Sequence, residues 1–156
     1  MEPTSEFHTV RGYQLLEQNR RFLTSAMEDY LEMIYRTMQA DGYVRINVLS
    51  EQLNVSPPST TNMVQKLHQL GLINYKKYGI ITLTPIGNEI GGFLLQRHTI
   101  IEQFLTNLGV ENVLNETELI EHNISNNTLQ KINHFNEFLT KNPSIAQSLY
   151  ISLNSI

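Results

Sequence analysis

One stretch of this chain, residues 45–84, constrains the fold more than any other. It opens with INVLSEQLN, whose apolar residues predict a short helix, and residues 54–56 then supply a turn. Ser56 is a favoured N-cap, and Pro57 stands at the favoured first position of a second helix, PPSTTNMVQKLHQL. After Gly71, two β-rich runs, LINY and IITLT, flank a basic tip that contains glycine. The order helix, turn, helix, hairpin predicts a winged helix-turn-helix.

The second helix of this motif has an apolar side and a polar side. The residues expected to hold it on the core are Val55, Met63, Leu67 and Leu70. In such motifs the polar side of the helix enters the DNA major groove, and we expect the wing tip to lie along the phosphates. The candidate DNA-binding residues are therefore Ser56, Pro58, Ser59, Thr60, Asn62, Gln65 and Lys66 on the helix, and Lys76, Lys77 and Tyr78 at the tip.

Helical patterns extend on both sides of the motif. An amphipathic segment at about 12–24 precedes a strong helix from about Ser25 to Ala40, and a long helix from Pro85 to about Leu108 follows the hairpin. Three further helices are expected at about 111–123, 126–140 and 144–154. The predicted fold is mainly α, with an N-terminal helical extension (1–24), a winged helix-turn-helix DNA-binding domain (25–84) and an all-helical metal-binding and dimerisation domain (85–156).

The helical half carries more apolar surface than one small unit easily buries. The residues concerned are Phe104, Leu105, Leu119, Ile132, Phe135, Phe138 and Leu139. We therefore expect a homodimer that buries part of this surface.

Charge and composition narrow the class of protein. Residues 45–84 carry a net charge of +3, whereas the segments before and after them carry −3 and −4, so only the motif would tolerate a phosphate backbone. The chain lacks cysteine, so any metal must be held by carboxylate, imidazole, backbone or water. No apolar run approaches the roughly 18 residues of a membrane span, and the N-terminus lacks the layout of a secretory signal. We expect a cytoplasmic protein without a membrane partner.

Three separated groups of side chains are candidate metal ligands. They are Asp29 with Glu32, then His98, and then Glu118, Glu121 and His122. The first pair shares a helix face, and the last three lie at i, i+3 and i+4, an arrangement common at divalent-metal sites. Acidic pairs also occur as solvated helix faces, and a lone histidine on an apolar helix is more often a satisfied core residue. Periodicity alone leaves open whether the three groups come together.

Several motifs together resemble the diphtheria-toxin-repressor family, and within it the branch of manganese transport regulators. The motifs SAMEDYLEMIY, LNVSPPSTTNMVQKL, RHTIIEQFL–LGV and ELIEHNIS occur in the family's order between about Thr24 and Ile132. The resemblance implies a homodimeric, metal-activated repressor of metal-ion homeostasis genes that binds a palindromic operator and is not an enzyme. It also implies a two-metal site at the joint between the two domains, formed by Asp29, Glu32, His98, Glu118, Glu121 and His122.

Two of these positions discriminate between branches of the family. The iron-responsive branch has methionine where Asp29 stands and cysteine where Glu118 stands. Oxygen ligands at both positions favour Mn²⁺, and the resemblance implies two ions per subunit.

The chain departs from the family pattern at Asn62, where a basic residue is expected, and in a loop before Glu118 that is about two residues short. Two other classes stay open. One is a winged-helix regulator that responds to another divalent metal such as iron, or to a small organic ligand. The other is a dinuclear carboxylate metalloenzyme, but its helical-bundle form needs a second Glu-x-x-His copy, which HTIIE at His98 does not supply.

Overall fold

The computed structural model describes residues 5–76 and 79–155, with side chains from residue 10 onward. The helices are α1 (Ser5–Asn19), α2 (Ser25–Asp41), α3 (Ile46–Leu53), α4 (Pro57–Gln69), α5 (Pro85–Leu108), α6 (Val113–Glu121), α7 (Asn126–Lys141) and α8 (Pro143–Leu153). The strands are β1 (Val44–Arg45), β2 (Ile73–Lys76) and β3 (Ile80–Leu83). The predicted class, a winged helix-turn-helix followed by a helical region, is confirmed.

The chain divides into two compact units, Met1–Leu95 and Gln96–Ile156. The division falls within α5. The reason is the close packing of the first part of α5 inside the first unit. A Cβ added to Gly87 would lie only 1.8 Å from the carbonyl oxygen of Leu72, and one added to Gly91 would lie 2.8 Å from Cβ of Tyr35.

The first unit has an apolar core shared by α2, α3, α4 and the sheet. Leu31, Ile34, Leu49, Leu67 and Ile81 are completely buried there. The helices α2 and α4 therefore contribute side chains to the same close-packed core.

The amphipathic segment predicted at 12–24 forms α1, which begins earlier and ends earlier than expected. The rings of Tyr13 on α1 and Phe93 on α5 meet edge-on, with their centroids 5.8 Å apart. Gly12 permits this approach, because a Cβ there would lie 2.5 Å from Cβ of Phe93. The helix therefore packs on the first part of α5.

The wing is a three-stranded antiparallel sheet in the order β1-β3-β2. The two hairpin strands were predicted, whereas β1 was missed because two residues are too few to give a period. Val44 of β1 pairs with Ile81 of β3, and both side chains are buried. Arg45 and Lys76 both pair with Ile80, so these three exposed side chains share the opposite face of the sheet.

The buried face of α4 differs from the predicted one. Thr60, Val64 and Leu67 are buried, whereas Val55 is exposed and Met63 is only half-buried. The prediction was therefore correct for Leu67. The side of α4 that faces the core also includes a polar residue, Thr60, in place of a fully buried Met63.

The second unit packs the end of α5 with α7 around a small core. Leu105, Leu129 and Leu139 are buried, and the rings of Phe104 and Phe135 meet edge-on with centroids 5.7 Å apart. Asn136 on α7 donates its side-chain N–H to the carbonyl oxygen of Ile100 at 2.9 Å. Several large apolar side chains remain exposed: Leu114, Leu119, Ile120, Phe138, Ile145, Tyr150 and Ile151.

Candidate metal centre and nucleic-acid interface

The second unit brings three of the six predicted ligands together. His98 lies on α5, Glu121 is the last residue of α6, and His122 follows it. His98 Nδ1 is 3.0 Å from Glu121 Oε2, and His122 Nε2 is 3.8 Å from Glu121 Oε1. The Glu121 side chain is only 2% exposed, and the two imidazoles are 8% and 12% exposed. One buried carboxylate therefore faces two imidazoles, one with each oxygen.

A buried cation lies beside this cluster. Arg97, which is 4% exposed, places Nη2 at 3.2 Å from His122 Nδ1. A guanidinium only donates hydrogen bonds, so Nδ1 is the acceptor. Glu102 lies on the other side, with a carboxylate oxygen 3.9 Å from His98 Nε2.

The remaining predicted ligands are Glu118 on α6 and the pair Asp29 and Glu32 on α2. Glu118 lies on α6, three residues before Glu121, and its side chain is exposed. Asp29 and Glu32 lie on α2 in the first unit, with Asp29 half-buried and Glu32 buried. Arg36 Nη2 donates to Glu32 Oε1 at 2.5 Å, one helical turn away.

The donor set fits a divalent metal ion. Burial of an ionised carboxylate is costly unless charged partners or a metal compensate it, and Glu121 is almost fully buried. Imidazole and carboxylate are the donors that first-row divalent ions accept, and a chain without cysteine offers no thiolate. The cluster in the second unit therefore has the chemistry of a metal site.

The candidate DNA surface of the first unit is the exposed face of α4. The Ser56 side chain caps the helix by accepting the N–H of Ser59 at 3.4 Å. Six of the seven helix candidates are exposed: Ser56, Pro58, Ser59, Asn62, Gln65 and Lys66. They form one polar surface supported from behind by the apolar core.

The seventh candidate, Thr60, requires a correction. Its side chain is completely buried, so the prediction that it faces outward is wrong. Its Oγ1 donates to the carbonyl oxygen of Ser56 at 3.2 Å and lies 2.9 Å from Oγ of Ser50, which is also buried. Thr60 thus links α4 to α3 through its hydroxyl group.

The wing supplies an exposed cation at Lys76, whose carbonyl oxygen accepts the N–H of Gly79 at 3.1 Å. The predicted contacts Lys77 and Tyr78 lie outside the described residues. Sequence reasoning did not select Arg45, which is exposed on the same sheet face and lies 5.7 Å from the ring centre of Tyr43. It also missed Arg97, because a basic residue beside a histidine carries no pattern that reveals which way it points.

A winged helix-turn-helix in one chain with a buried imidazole–carboxylate cluster defines the class of metal-dependent DNA-binding regulators. Residues 22–81 match the model of the iron dependent repressor N-terminal DNA binding domain. Residues 84–149 match the model of the iron dependent repressor metal binding and dimerisation domain. The chain belongs to the iron-dependent repressor family.

Similar proteins include the HTH-type transcriptional regulator MntR of Lysinibacillus sphaericus, 42% identical over 131 residues, or 83% of this chain and 94% of that protein. The MntR of Geobacillus thermodenitrificans is 44% identical over 111 residues, or 70% of this chain and 79% of that protein. The solved structure of the manganese regulator SloR matches with a TM-score of 0.62 and 31% identity, covering 70% of this chain and 52% of that one. The structure of T. acidophilum IdeR matches with a TM-score of 0.61 and 28% identity, covering 67% and 51%. This chain spans about half the length of the two solved chains.

Membership of the family settles the class of function. The protein is a DNA-binding transcriptional repressor with a metal-binding and dimerisation domain, and the family is one of repressors rather than enzymes. The metalloenzyme and the organic-ligand sensor are therefore set aside. Within the described residues, none of the helices is long and apolar enough to cross a membrane.

Proposed function

We propose that this protein is a Mn²⁺-activated repressor that acts as a homodimer on a palindromic operator and controls metal-ion homeostasis genes in the cytoplasm. The observation that carries the proposal is the buried Glu121 carboxylate facing the imidazoles of His98 and His122. Similarity to the regulators named MntR and to the structure of the manganese regulator SloR supports the choice of metal.

We assign the metal ligands to six residues, with two ions per subunit. They are Asp29, Glu32, His98, Glu118, Glu121 and His122. Their donors are four carboxylates and two imidazoles, a set rich in hard oxygen. Bound metal would supply positive charge that holds these carboxylates and imidazoles in one arrangement. The exposed Glu118 has the freedom to turn towards an ion.

The choice of Mn²⁺ follows from the hardness of the ligands. Mn²⁺ binds most weakly in the first-row divalent series, so a protein selects it by oxygen ligands and accommodating geometry. Asp29 and Glu118 provide oxygen at the two positions that distinguish the manganese branch of the family. Fe²⁺ is the alternative activator.

The coupling to DNA follows from the position of the ligands in the fold. Asp29 and Glu32 belong to α2, which shares its core with the recognition helix α4, whereas the other four ligands belong to the second unit. Ligation by both groups would select one arrangement of α4 from an existing ensemble. A hundredfold gain in DNA affinity needs only about 2.7 kcal/mol of coupling.

The DNA would be read by α4 and held by the wing. Asn62 and Gln65 carry amide groups suited to base edges, and Ser56, Ser59 and Lys66 are suited to phosphates. Pro58 would make van der Waals contact with the sugar–phosphate backbone of the DNA. Lys76, Lys77 and Tyr78 would lie along phosphates beside the groove.

The proposal is tested by selecting operator DNA from a random library in the presence of Mn²⁺ and then measuring affinity by fluorescence anisotropy. We expect the metal-free protein to stay dimeric and to bind weakly, and Mn²⁺ to raise its affinity about a hundredfold. The selected sites should be palindromic. Equal affinity in chelator and in Mn²⁺ would refute metal activation, and stronger activation by Fe²⁺ under anaerobic conditions would replace the metal assignment.

A further inference from the structure

Arg97 is a buried cation placed where a metal ion would have to compete with it. It precedes the proposed ligand His98 on α5, is 4% exposed, and donates from Nη2 to His122 Nδ1 at 3.2 Å. Glu121, 2% exposed, faces both imidazoles in the same cluster. The metal site of the second unit thus contains a permanent positive charge.

The hydrogen bond from Arg97 is chemically incompatible with His122 as a ligand. Arginine can only donate, so it uses the lone pair on Nδ1. If a metal bound Nδ1, it would need this same lone pair. If it bound Nε2, the neutral ring would carry its proton on Nδ1, which could then no longer accept. Either mode of ligation breaks the Arg97–His122 bond.

Electrostatics acts in the same direction. Glu121 is buried beside Arg97 in this cluster, and the half-exposed carboxylate of Glu102 lies 3.9 Å from His98 Nε2. A guanidinium keeps its charge at every relevant pH. A dication bound by Glu121 and His122 is therefore repelled by Arg97 at short range, and weak solvent screening preserves that repulsion.

We infer that Arg97 is an internal competitor of the metal ion: it holds His122 in the metal-free protein, and its release on metal binding sets the affinity of the site. This inference rests on the proposed metal ligands. Arg97 is then a positioning residue. With it, the repressor needs a higher metal concentration for activation than the same ligands would need without it.

Three substitutions separate charge, hydrogen bonding and packing at this position. Arg97→Met keeps the aliphatic stem but removes the charge and the donors, and should bind Mn²⁺ at least about tenfold more tightly. Arg97→Lys retains a charged donor and should stay near wild type. Arg97→Gln retains a donor without the charge and should fall between them.

The primary readout is Mn²⁺ affinity of the purified full-length dimer, from the electron paramagnetic resonance signal of free aqueous Mn²⁺. The second readout is the ¹⁵N spectrum of the histidine rings in the metal-free protein, with His122 assigned by a His122→Asn variant. In wild type the lone pair of His122 should lie on Nδ1, hydrogen-bonded, and this signature should be lost in Arg97→Met and kept in Arg97→Lys. Thermal unfolding of each variant checks that the dimer is folded.

The outcomes distinguish this inference from the proposed function. Wild-type binding of Mn²⁺ together with its loss in Glu121→Gln supports the ligand assignment, and tighter binding by Arg97→Met then supports competition. Equal or weaker binding by Arg97→Met and Arg97→Gln, with Glu121→Gln still inactive, overturns the inference and assigns Arg97 a supporting role. Unchanged binding by Glu121→Gln overturns the ligand assignment itself.

Discussion

The recognition helix and the metal cluster place their functional groups in opposite environments. On α4 the functional groups lie on a solvent-facing surface, and an apolar core with Val64 and Leu67 supports them from behind. In the second unit Glu121, His98 and Arg97 are themselves buried, and they contact other polar groups of the same cluster. A DNA surface can therefore change residue by residue, whereas each change in the metal cluster alters the partners of its neighbours.

The largest effect is expected where the buried cluster loses its central charge. Glu121→Gln conserves shape but removes the anionic ligand, so the gain in operator affinity on adding Mn²⁺, about a hundredfold, should disappear. Anisotropy titrations in Mn²⁺ and in chelator measure this gain. Glu111→Gln removes an exposed charge outside the cluster and serves as the control. If Glu121→Gln kept the full gain in operator affinity, the buried cluster would be no more sensitive to substitution than the exposed DNA surface.

The buried contact between Thr60 and Ser50 in the first unit tests whether sensitivity to substitution comes from burial or from a functional role. Thr60→Val leaves Ser50 without its partner on α4, and we expect the free energy of unfolding to fall by about 1–3 kcal/mol. Urea unfolding of the metal-free protein measures this loss. The half-buried neighbour Thr61→Val is the matched control and should change stability little. If Ser50→Ala with Thr60→Val costs as much as the two single changes added together, the hydroxyls do not act as a pair.

The metal choice should depend on the ligand from the first unit. Asp29→Met replaces a hard oxygen donor by a soft thioether, so the advantage of Mn²⁺ over Fe²⁺ in activating DNA binding should shrink by about tenfold. Anaerobic titrations of operator affinity with each metal, for wild type and variant, measure the ranking. An unchanged ranking would mean that Asp29 does not contribute to selectivity.

The smallest effect belongs to the exposed DNA surface. Lys76→Ala should weaken binding to every DNA sequence and lower the slope of log affinity against log salt by about 0.9, as expected for one lost phosphate contact. Lys131→Ala removes an exposed cation from α7 as the control and should leave the slope unchanged. A change in preferred operator sequence at constant slope would instead make Lys76 a base-reading residue.

Much of this protein was determined by local sequence. The caps at Ser56 and Gly42, the glycine after α4 and the helical periods of α2, α5 and α7 place the elements correctly, because these signals act within a few residues. The concentration of positive charge in residues 45–84 likewise identifies the DNA-binding region by its composition. The types of metal ligand were also evident, since the chain offers no thiolate.

Tertiary structure decided the features that depend on which side chains meet. Thr60 turns inward because Ser50 offers it a buried partner, and β1 exists because β3 supplies its hydrogen bonds. Glu121 is buried while Glu118, one turn away on α6, is exposed. Arg97 meets His122 across a separation of 25 residues. Periodicity assigns a residue to a helix face, but only packing between elements determines what that face contacts.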